Sequence, residues 1–184
     1  AEIHALQRLT RQRKHIEVAI SSRKIRVSAI VDGYLPGVRR TFNDAWTLPV
    51  RAFLRSRLNP YAVVRDGEEA LHVYLSKACP RSKWSRAETH LVFLACHSVA
   101  EVCESSRSAG TLDEEFFIDL QDEIARELRL MESEEAESES LSRRITELYH
   151  KLHPSDNLTS IPGVGAHTAP IFLSAVGDPA RFNS

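Results

Sequence analysis

The sequence has little cysteine and no long apolar run, and these two absences exclude several classes of protein. Its 184 residues include only three cysteines and no CxxC pair, so a small disulfide-stapled fold is excluded. No stretch of about 18 apolar residues occurs, which predicts that no helix spans a membrane. The first residues lack a basic segment followed by an apolar one, so we expect no secretory signal. We therefore expect a cytoplasmic protein with no membrane partner.

Glycine and proline are also scarce, at 7 and 8 residues, and they leave two long stretches without either. The hydrophobic content of 42% and the charged content of 27% are typical of globular proteins, which excludes a collagen-like or wholly disordered chain. The net charge of −1 hides an asymmetry. Residues 1–100 carry 17 basic against 8 acidic residues, which gives +9, and residues 101–184 carry 7 against 17, which gives −10. Such asymmetry is typical of a polyanion-binding part joined to an acidic part.

The first of these stretches predicts a long basic helix over residues 1–32. Its apolar residues recur at helical spacing, at Leu6, Leu9, Ile16, Ile20, Val27, Ile30 and Val31. Cations occupy other positions, namely Arg8, Arg11, Arg13, Lys14, Arg23, Lys24 and Arg26. Before Asp32 only Glu2 and Glu17 can pair with them along the helix. We interpret this stripe as a surface for nucleic-acid phosphates, and the alternative is an ordinary solvated face.

Residues 33–110 predict a connector of short helices, because glycine and proline interrupt the chain repeatedly. Arg39 and Arg40 lie close to Phe42 and Trp46, a combination that suits nucleic-acid contact, although such aromatics also cover cores. One short helix follows Pro49 and stops near residues 59–60, and another is expected over residues 66–78. A capping box predicts the start of a third helix, with Ser85 as the cap and Glu88 three residues later.

Residues 111–153 predict a second long helix with a heptad pattern, opened by a further capping box of Thr111 and Glu114. One core position holds Phe117, Ile124, Met131, Ser138, Ile145 and Leu152, and the other holds Leu120, Glu127, Glu134, Leu141 and Leu148. The ends of this pattern are apolar and its middle is acidic. Two interpretations remain open, packing on the first long helix of the same chain or an intermolecular coiled coil that forms a homo-oligomer.

The fold class is predicted to be all-α, because no alternating β pattern of convincing length occurs. We expect long, coiled-coil-like helices, short connecting helices and a C-terminal element like a helix-hairpin-helix. Cys96 and Cys103 stand seven residues apart with His90 and His97 nearby, so a metal site can be imagined. Buried free thiols in a helical core explain the cysteines better, and we predict no metal site.

Residues 154–184 contain a glycine-rich hairpin, whose expected DNA contacts are Ile161, Pro162, Gly163, Val164, Gly165, His167 and Thr168. Gly163 and Gly165 allow unusual backbone conformations and leave amides unshielded. We expect the helix that follows to direct its first N–H groups at a phosphate. We expect the two helices of this element to pack together through Ile161, Val164, Ala169, Phe172 and Leu173. The alternative is a turn that merely connects helices.

The segment from Leu158 to Phe182, after a long heptad helix and a basic helix, resembles a family of insertion-sequence transposases. Members of that family join a RuvC-like DEDD nuclease domain to a serine-bearing transposase domain and use a bridge RNA as guide. Gly177, Asp178, Arg181 and Phe182 match its Gly-Asp-x-x-Arg-Phe stretch. The resemblance implies an internal fragment, with the nuclease carboxylates upstream and the catalytic serine downstream. It also implies Mg²⁺ for the full-length family, but no cofactor and no catalytic residue in this segment.

The resemblance implies a fragment of a transposase or recombinase that contributes DNA binding, guide-RNA binding and protomer pairing through the long helices. Such a segment is expected to be inactive by itself. Two other hypotheses remain open at this point. One is a non-enzymatic accessory protein with a helix-hairpin-helix that binds DNA, and the other is a helical scaffold for protein contacts.

Overall fold

The protein is all-helical throughout the described part of the chain, as its sequence predicts. The computed structural model describes residues 2–42, 46–79, 84–105 and 112–177. Those ranges contain seven α-helices: α1 Glu2–Tyr34, α2 Leu48–Ser56, α3 Pro60–Asp66, α4 Glu68–Ala78, α5 Arg86–Ser105, α6 Glu114–Leu152 and α7 Thr168–Val176. Two short 3-10 turns lie at Arg39–Thr41 and Asn157–Ser160. Within the described ranges no strand forms, and no helix is long and apolar enough to cross a membrane.

One helix, α3, was not predicted, because its start coincides with a signal for the end of another helix. Asn59 and Pro60 were expected only to stop α2. In the structure the Asn59 side chain caps α3, where its Oδ1 accepts from the amides of Tyr61 at 3.0 Å and Ala62 at 3.3 Å. Proline suits the first helical position, since its missing N–H would have no helical acceptor there. The same two residues therefore end one helix and begin the next.

The capping box predicted at the start of α5 is confirmed. The amide of Glu88 donates to the Ser85 hydroxyl at 3.1 Å, and the amide of Ser85 donates to the Glu88 carboxylate at 2.9 Å. The second predicted box begins at Thr111, which lies outside the described residues. At the start of α6 the Asp113 carboxylate accepts from the amide of Phe116 at 2.9 Å.

Removing the α5 cap should have a measurable cost. We expect Ser85→Ala to lower the free energy of unfolding by about 1 kcal/mol, since an N-terminal amide loses its acceptor. Ser133→Ala is the control, because Ser133 is exposed in the interior of α6. Urea denaturation followed by circular dichroism measures both. Equal changes in the two variants would contradict the capping role.

The chain forms two compact units. The central unit is Arg23–Leu130, and the terminal unit joins Ala1–Ser22 to Met131–Ser184. Each of the two long helices, α1 and α6, has residues in both units.

All three cysteines and Phe42 of the predicted connector are buried in the central unit. All three cysteines are free thiols and are buried, as predicted. Burial raises the pKa of the Cys96 thiol to about 12, so it stays protonated. Phe42 is buried, and its ring centre lies 5.9 Å from those of both Phe53 and Trp84. Phe42 therefore covers the core rather than presenting its ring to a nucleic acid.

The terminal unit has a small apolar core to which α1, α6 and α7 all contribute. Its buried members are Leu6, Ile145, Tyr149, Ala169 and Leu173. Partly buried residues pack around them, at Ile3, Leu9, Leu148, Leu152, Leu158 and Val164. Three heptad residues of α6, namely Ile145, Leu148 and Leu152, thus pack in the same core as Leu6 of α1, which agrees for this part of the helix with the intramolecular alternative that the sequence left open.

Candidate nucleic-acid interface

The terminal unit brings the predicted hairpin and the first part of the basic helix into one compact structure. Leu6 of α1 and Leu173 of α7 are buried in the same core. Alongside them, the Gln7 side-chain amide donates to the backbone carbonyl of Ser174 at 2.9 Å. Two segments more than 140 residues apart in sequence, both of them predicted to bind nucleic acid, are therefore held together.

Three of the predicted cations in this unit are exposed and have no acidic partner among the described residues. Arg8, Arg11 and Lys14 are exposed, and none of them forms an ion pair within the described part of the chain. Their three-residue spacing places successive Cα atoms about 4.5 Å apart along the helix axis. Arg13 differs, because its guanidinium lies 2.8 Å from the Glu17 carboxylate. The unpaired part of the stripe is thus this short ridge.

In the central unit, the expectation of an unpaired stripe is wrong for Arg23 and Arg26, and Arg39 of the connector is paired as well. Arg23 lies 2.8 Å from Glu127, Arg26 lies 2.8 Å from Glu123, and Arg39 lies 2.7 Å from Asp32. The acidic partners of the first two are about 100 residues further along the chain, on α6, so spacing within one helix cannot reveal them. Arg23 and Arg26 therefore neutralise α6 rather than remaining free for phosphates.

The same ion pairs explain an acidic residue at a predicted heptad core position. Glu127 is only 9% exposed, and the guanidinium groups of Arg23 and Arg26 lie 2.8 and 3.3 Å from its carboxylate. A carboxylate that is nearly buried requires such partners, since its desolvation would otherwise be costly. The remaining predicted cations of this unit are Lys24, whose ammonium lies 5.6 Å from the centre of the Trp46 ring, and Arg40, which is exposed.

A hydrogen bond between Tyr149 and Asp156 fixes the path from α6 into the hairpin. The Tyr149 hydroxyl, on a side chain that is 1% exposed, donates to Asp156 Oδ1 at 2.7 Å. Burial and the neighbouring carboxylate raise the pKa of Tyr149 to about 12. Asp156 has a left-handed backbone with φ 49°, the only non-glycine residue with positive φ in the described ranges. Its carbonyl accepts from both the amide and the hydroxyl of Thr159, at 3.2 and 2.8 Å.

The hairpin offers free amides, but they are not the ones expected. The amides of Thr168 and Ala169, in the first turn of α7, both donate to the Gly165 carbonyl at 2.9 Å. Pro170 follows them and has no N–H group. The expectation that the first turn of α7 directs its N–H groups at a phosphate is therefore wrong. Proline at position 170 was the sequence signal that could have shown this.

Four amides before α7 have no acceptor within the described part of the chain, and they belong to Gly163, Gly165, Ala166 and His167. All four residues are exposed. Gly163 has φ +88°, a conformation that strains any residue with a side chain. The amide of Val164 donates to the Ile161 carbonyl at 2.9 Å, so the consecutive free amides are those of residues 165–167. Consecutive free amides in a turn can form a concave surface that binds an anion. The anion-binding capacity of this segment thus lies in the hairpin itself.

The side chains around the hairpin divide into a packed set and an exposed set. Ala169 and Leu173 are buried and Val164 packs against the same core, as predicted. Ile161 and Phe172 were expected to join them, but they are 45% and 47% exposed. His167 and Thr168 are also exposed, and the His167 side chain makes no capping hydrogen bond. Pro162 is exposed as well.

No described residues form a metal centre. Among the described ranges, no three histidine, cysteine, aspartate or glutamate side chains are placed to hold a metal ion. The Mg²⁺ that the resemblance implies for full-length family members therefore has no fitting ligand set in this part of the chain, and we assign it no step.

Comparison with known proteins agrees with the C-terminal resemblance. The model of the IS116/IS110/IS902 transposase family matches residues 155–184. The match begins just after the end of α6 and includes the hairpin and α7. This match supports the prediction that the segment comes from an insertion-sequence transposase. No curated protein and no solved structure matches the chain. Asp178, Arg181 and Phe182, which carry part of the resemblance, lie outside the described residues.

Proposed function

We propose that this chain is the DNA-binding part of an insertion-sequence transposase, and that the terminal unit contacts the DNA backbone. One observation carries this proposal. The segment matched by the transposase family packs on the part of α1 that bears Arg8, Arg11 and Lys14. Exposed cations without acidic partners and free hairpin amides are the two kinds of group that bind phosphates.

The two kinds of group would act at different distances from the DNA. The cations attract the duplex from a distance and release counterions when they reach the phosphates, which makes binding salt-dependent. The amides of Gly163 and Gly165 act only at hydrogen-bond range, so they would fix the position of a phosphate at the hairpin. Neither kind of contact reads base identity. We therefore expect affinity for duplexes of unrelated sequence to be similar.

From the family resemblance alone we further propose binding of a guide RNA, pairing of protomers through the long helices, and cooperation with a DEDD nuclease and a catalytic serine. We assign no catalytic residue to this chain.

A single charge change tests the proposal. Arg11→Gln should weaken duplex binding about fivefold, because one phosphate contact is lost. Arg65→Gln is a matched control, since it removes the same charge from the central unit, where Arg65 pairs with Glu114 at 2.9 Å. Fluorescence anisotropy with a labelled duplex measures both affinities. Equal losses in the two variants would show that net charge, and not the α1 ridge, governs binding.

A further inference from the structure

Two histidines extend the line of exposed cations on α1. His4, Arg8, Arg11 and His15 follow one another at intervals of four, three and four residues, and all four are exposed. Residues with this spacing lie on one face of a helix. At a rise of about 1.5 Å per residue, the face extends about 16 Å from His4 to His15. Neither histidine was among the predicted contacts, yet both lie in line with the two arginines.

This face points away from the elements that pack on α1 in the terminal unit. Leu6 lies on the opposite side of the helix, buried in the core that α1 shares with α6 and α7. Helix α7 carries no charged side chain. The nearby acids of α1 are Glu2, which pairs with Lys151 of α6, and Glu17, which pairs with Arg13. No carboxylate among the described residues therefore pairs with either histidine.

The hydrogen bonds of His4 suit its protonated form. The Gln7 side-chain amide donates to the Ser174 carbonyl of α7 at 2.9 Å, which leaves its Oε1 as an acceptor. His4 Nδ1 lies 3.2 Å from that oxygen, so Nδ1 is the donor and carries the proton of the neutral ring. The next proton binds Nε2, and the bond to Gln7 is then charge-assisted. His15 has no hydrogen bond with a described residue, so its protonation breaks none.

We propose that His4 and His15 are further phosphate-binding residues on α1, and that their protonation strengthens DNA binding at mildly acidic pH. Histidine ordinarily gains its positive charge as the pH falls through about 6.5. Two added charges in line with Arg8 and Arg11 let the same face neutralise more phosphates and release more counterions. A bound phosphate in turn favours the charged imidazole beside it. This inference rests on the proposed function, since it assigns regulation by pH to the same surface.

The test compares duplex affinity at about pH 5.5 and about pH 8, either side of histidine titration, at constant ionic strength. We expect the unmodified protein to bind about tenfold more tightly at the lower pH. Its salt slope should be steeper there by about 1.8, since two further phosphates are neutralised. The double variant His4→Gln, His15→Gln should bind equally at the two pH values, to within about twofold. The double variant His4→Lys, His15→Lys should bind tightly at both, because lysine stays charged.

Two histidines of the central unit provide a matched control. His90 and His97 lie 3.0 Å from Glu68 and 3.4 Å from Glu101, and both belong to α5. Because they lie in the other unit, the double variant His90→Gln, His97→Gln should keep the full pH effect of the unmodified protein. Circular dichroism at both pH values checks that every variant folds.

The outcomes separate this inference from the proposed function. If the unmodified protein binds no duplex at either pH, the proposed function fails and this inference fails with it. If binding depends on Arg11 but is equally tight at the two pH values, only this inference is overturned. A pH effect that survives in the glutamine variant also overturns it, and would point to His150 or His167, which are exposed in the same unit. Tight binding of the lysine variant at the higher pH, with no pH effect in the glutamine variant, supports it.

Discussion

Replacing Tyr149 by alanine is expected to destabilise the terminal unit by about 3 to 5 kcal/mol, the cost of removing a large buried aromatic side chain. Tyr149 is 1% exposed and packs in the same small core as Leu6 and Leu173. It also holds Asp156, whose left-handed backbone begins the path to the hairpin. Loss of the ring should therefore loosen both the core and the hairpin.

Two further variants separate the ring from its hydroxyl. Tyr149→Phe keeps the packing and removes only the hydrogen bond to Asp156, so about 1 kcal/mol is expected. Tyr34→Ala is the control for losing a tyrosine, because Tyr34 is 38% exposed in the central unit. Hydrogen exchange at the α7 amides measures the stability of the terminal unit directly. If Tyr149→Ala left this exchange as slow as Tyr34→Ala does, the core of the terminal unit would be misassigned.

Neutralising the whole α1 ridge should have the largest effect on binding. The triple variant Arg8→Gln, Arg11→Gln, Lys14→Gln is expected to bind duplex DNA about 100-fold more weakly at low salt, as three phosphate contacts are lost. Its stability should change little, because these side chains are exposed and make no ion pairs with described residues.

A matched triple variant controls for the change in net charge. Arg57, Arg65 and Arg86 lie in the central unit and pair with Asp66, Glu114 and Glu69. Changing these three arginines to glutamine removes the same charge from residues that already have acidic partners. Surface ion pairs contribute little to stability, so this variant should also fold. An equal loss of affinity in the two triple variants would contradict a specific role for the α1 ridge.

Local signals in the sequence predicted the helices well, because the interactions that define them are local. The apolar spacing from Leu6 to Val31 predicted α1, and Ser85 with Glu88 predicted the start of α5. The glycines indicate the hairpin, and the transposase family model matches the segment that contains it. The start of α3 was not predicted, because the dipeptide Asn59-Pro60 is compatible with both the end and the start of a helix.

Charge pairing and amide availability were predicted less well, since both depend on the folded chain. The partners of Arg23 and Arg26 lie on α6, far away in sequence. The sequence pattern therefore overestimates how many cations of the stripe lack an acidic partner. The expected phosphate site was placed at the first turn of α7, where the Gly165 carbonyl already accepts two amides. Only three-dimensional contacts show which polar groups are already used.

The salt dependence of duplex binding tests most directly whether the α1 ridge contacts phosphates. Each phosphate neutralised in B-form DNA contributes about 0.9 to the slope of log association constant against log salt. We expect the triple glutamine variant at Arg8, Arg11 and Lys14 to have a slope shallower by about 2.7 than that of the unmodified protein. Identical slopes for the two proteins would mean that these side chains release no counterions, and the ridge would then not be the DNA contact.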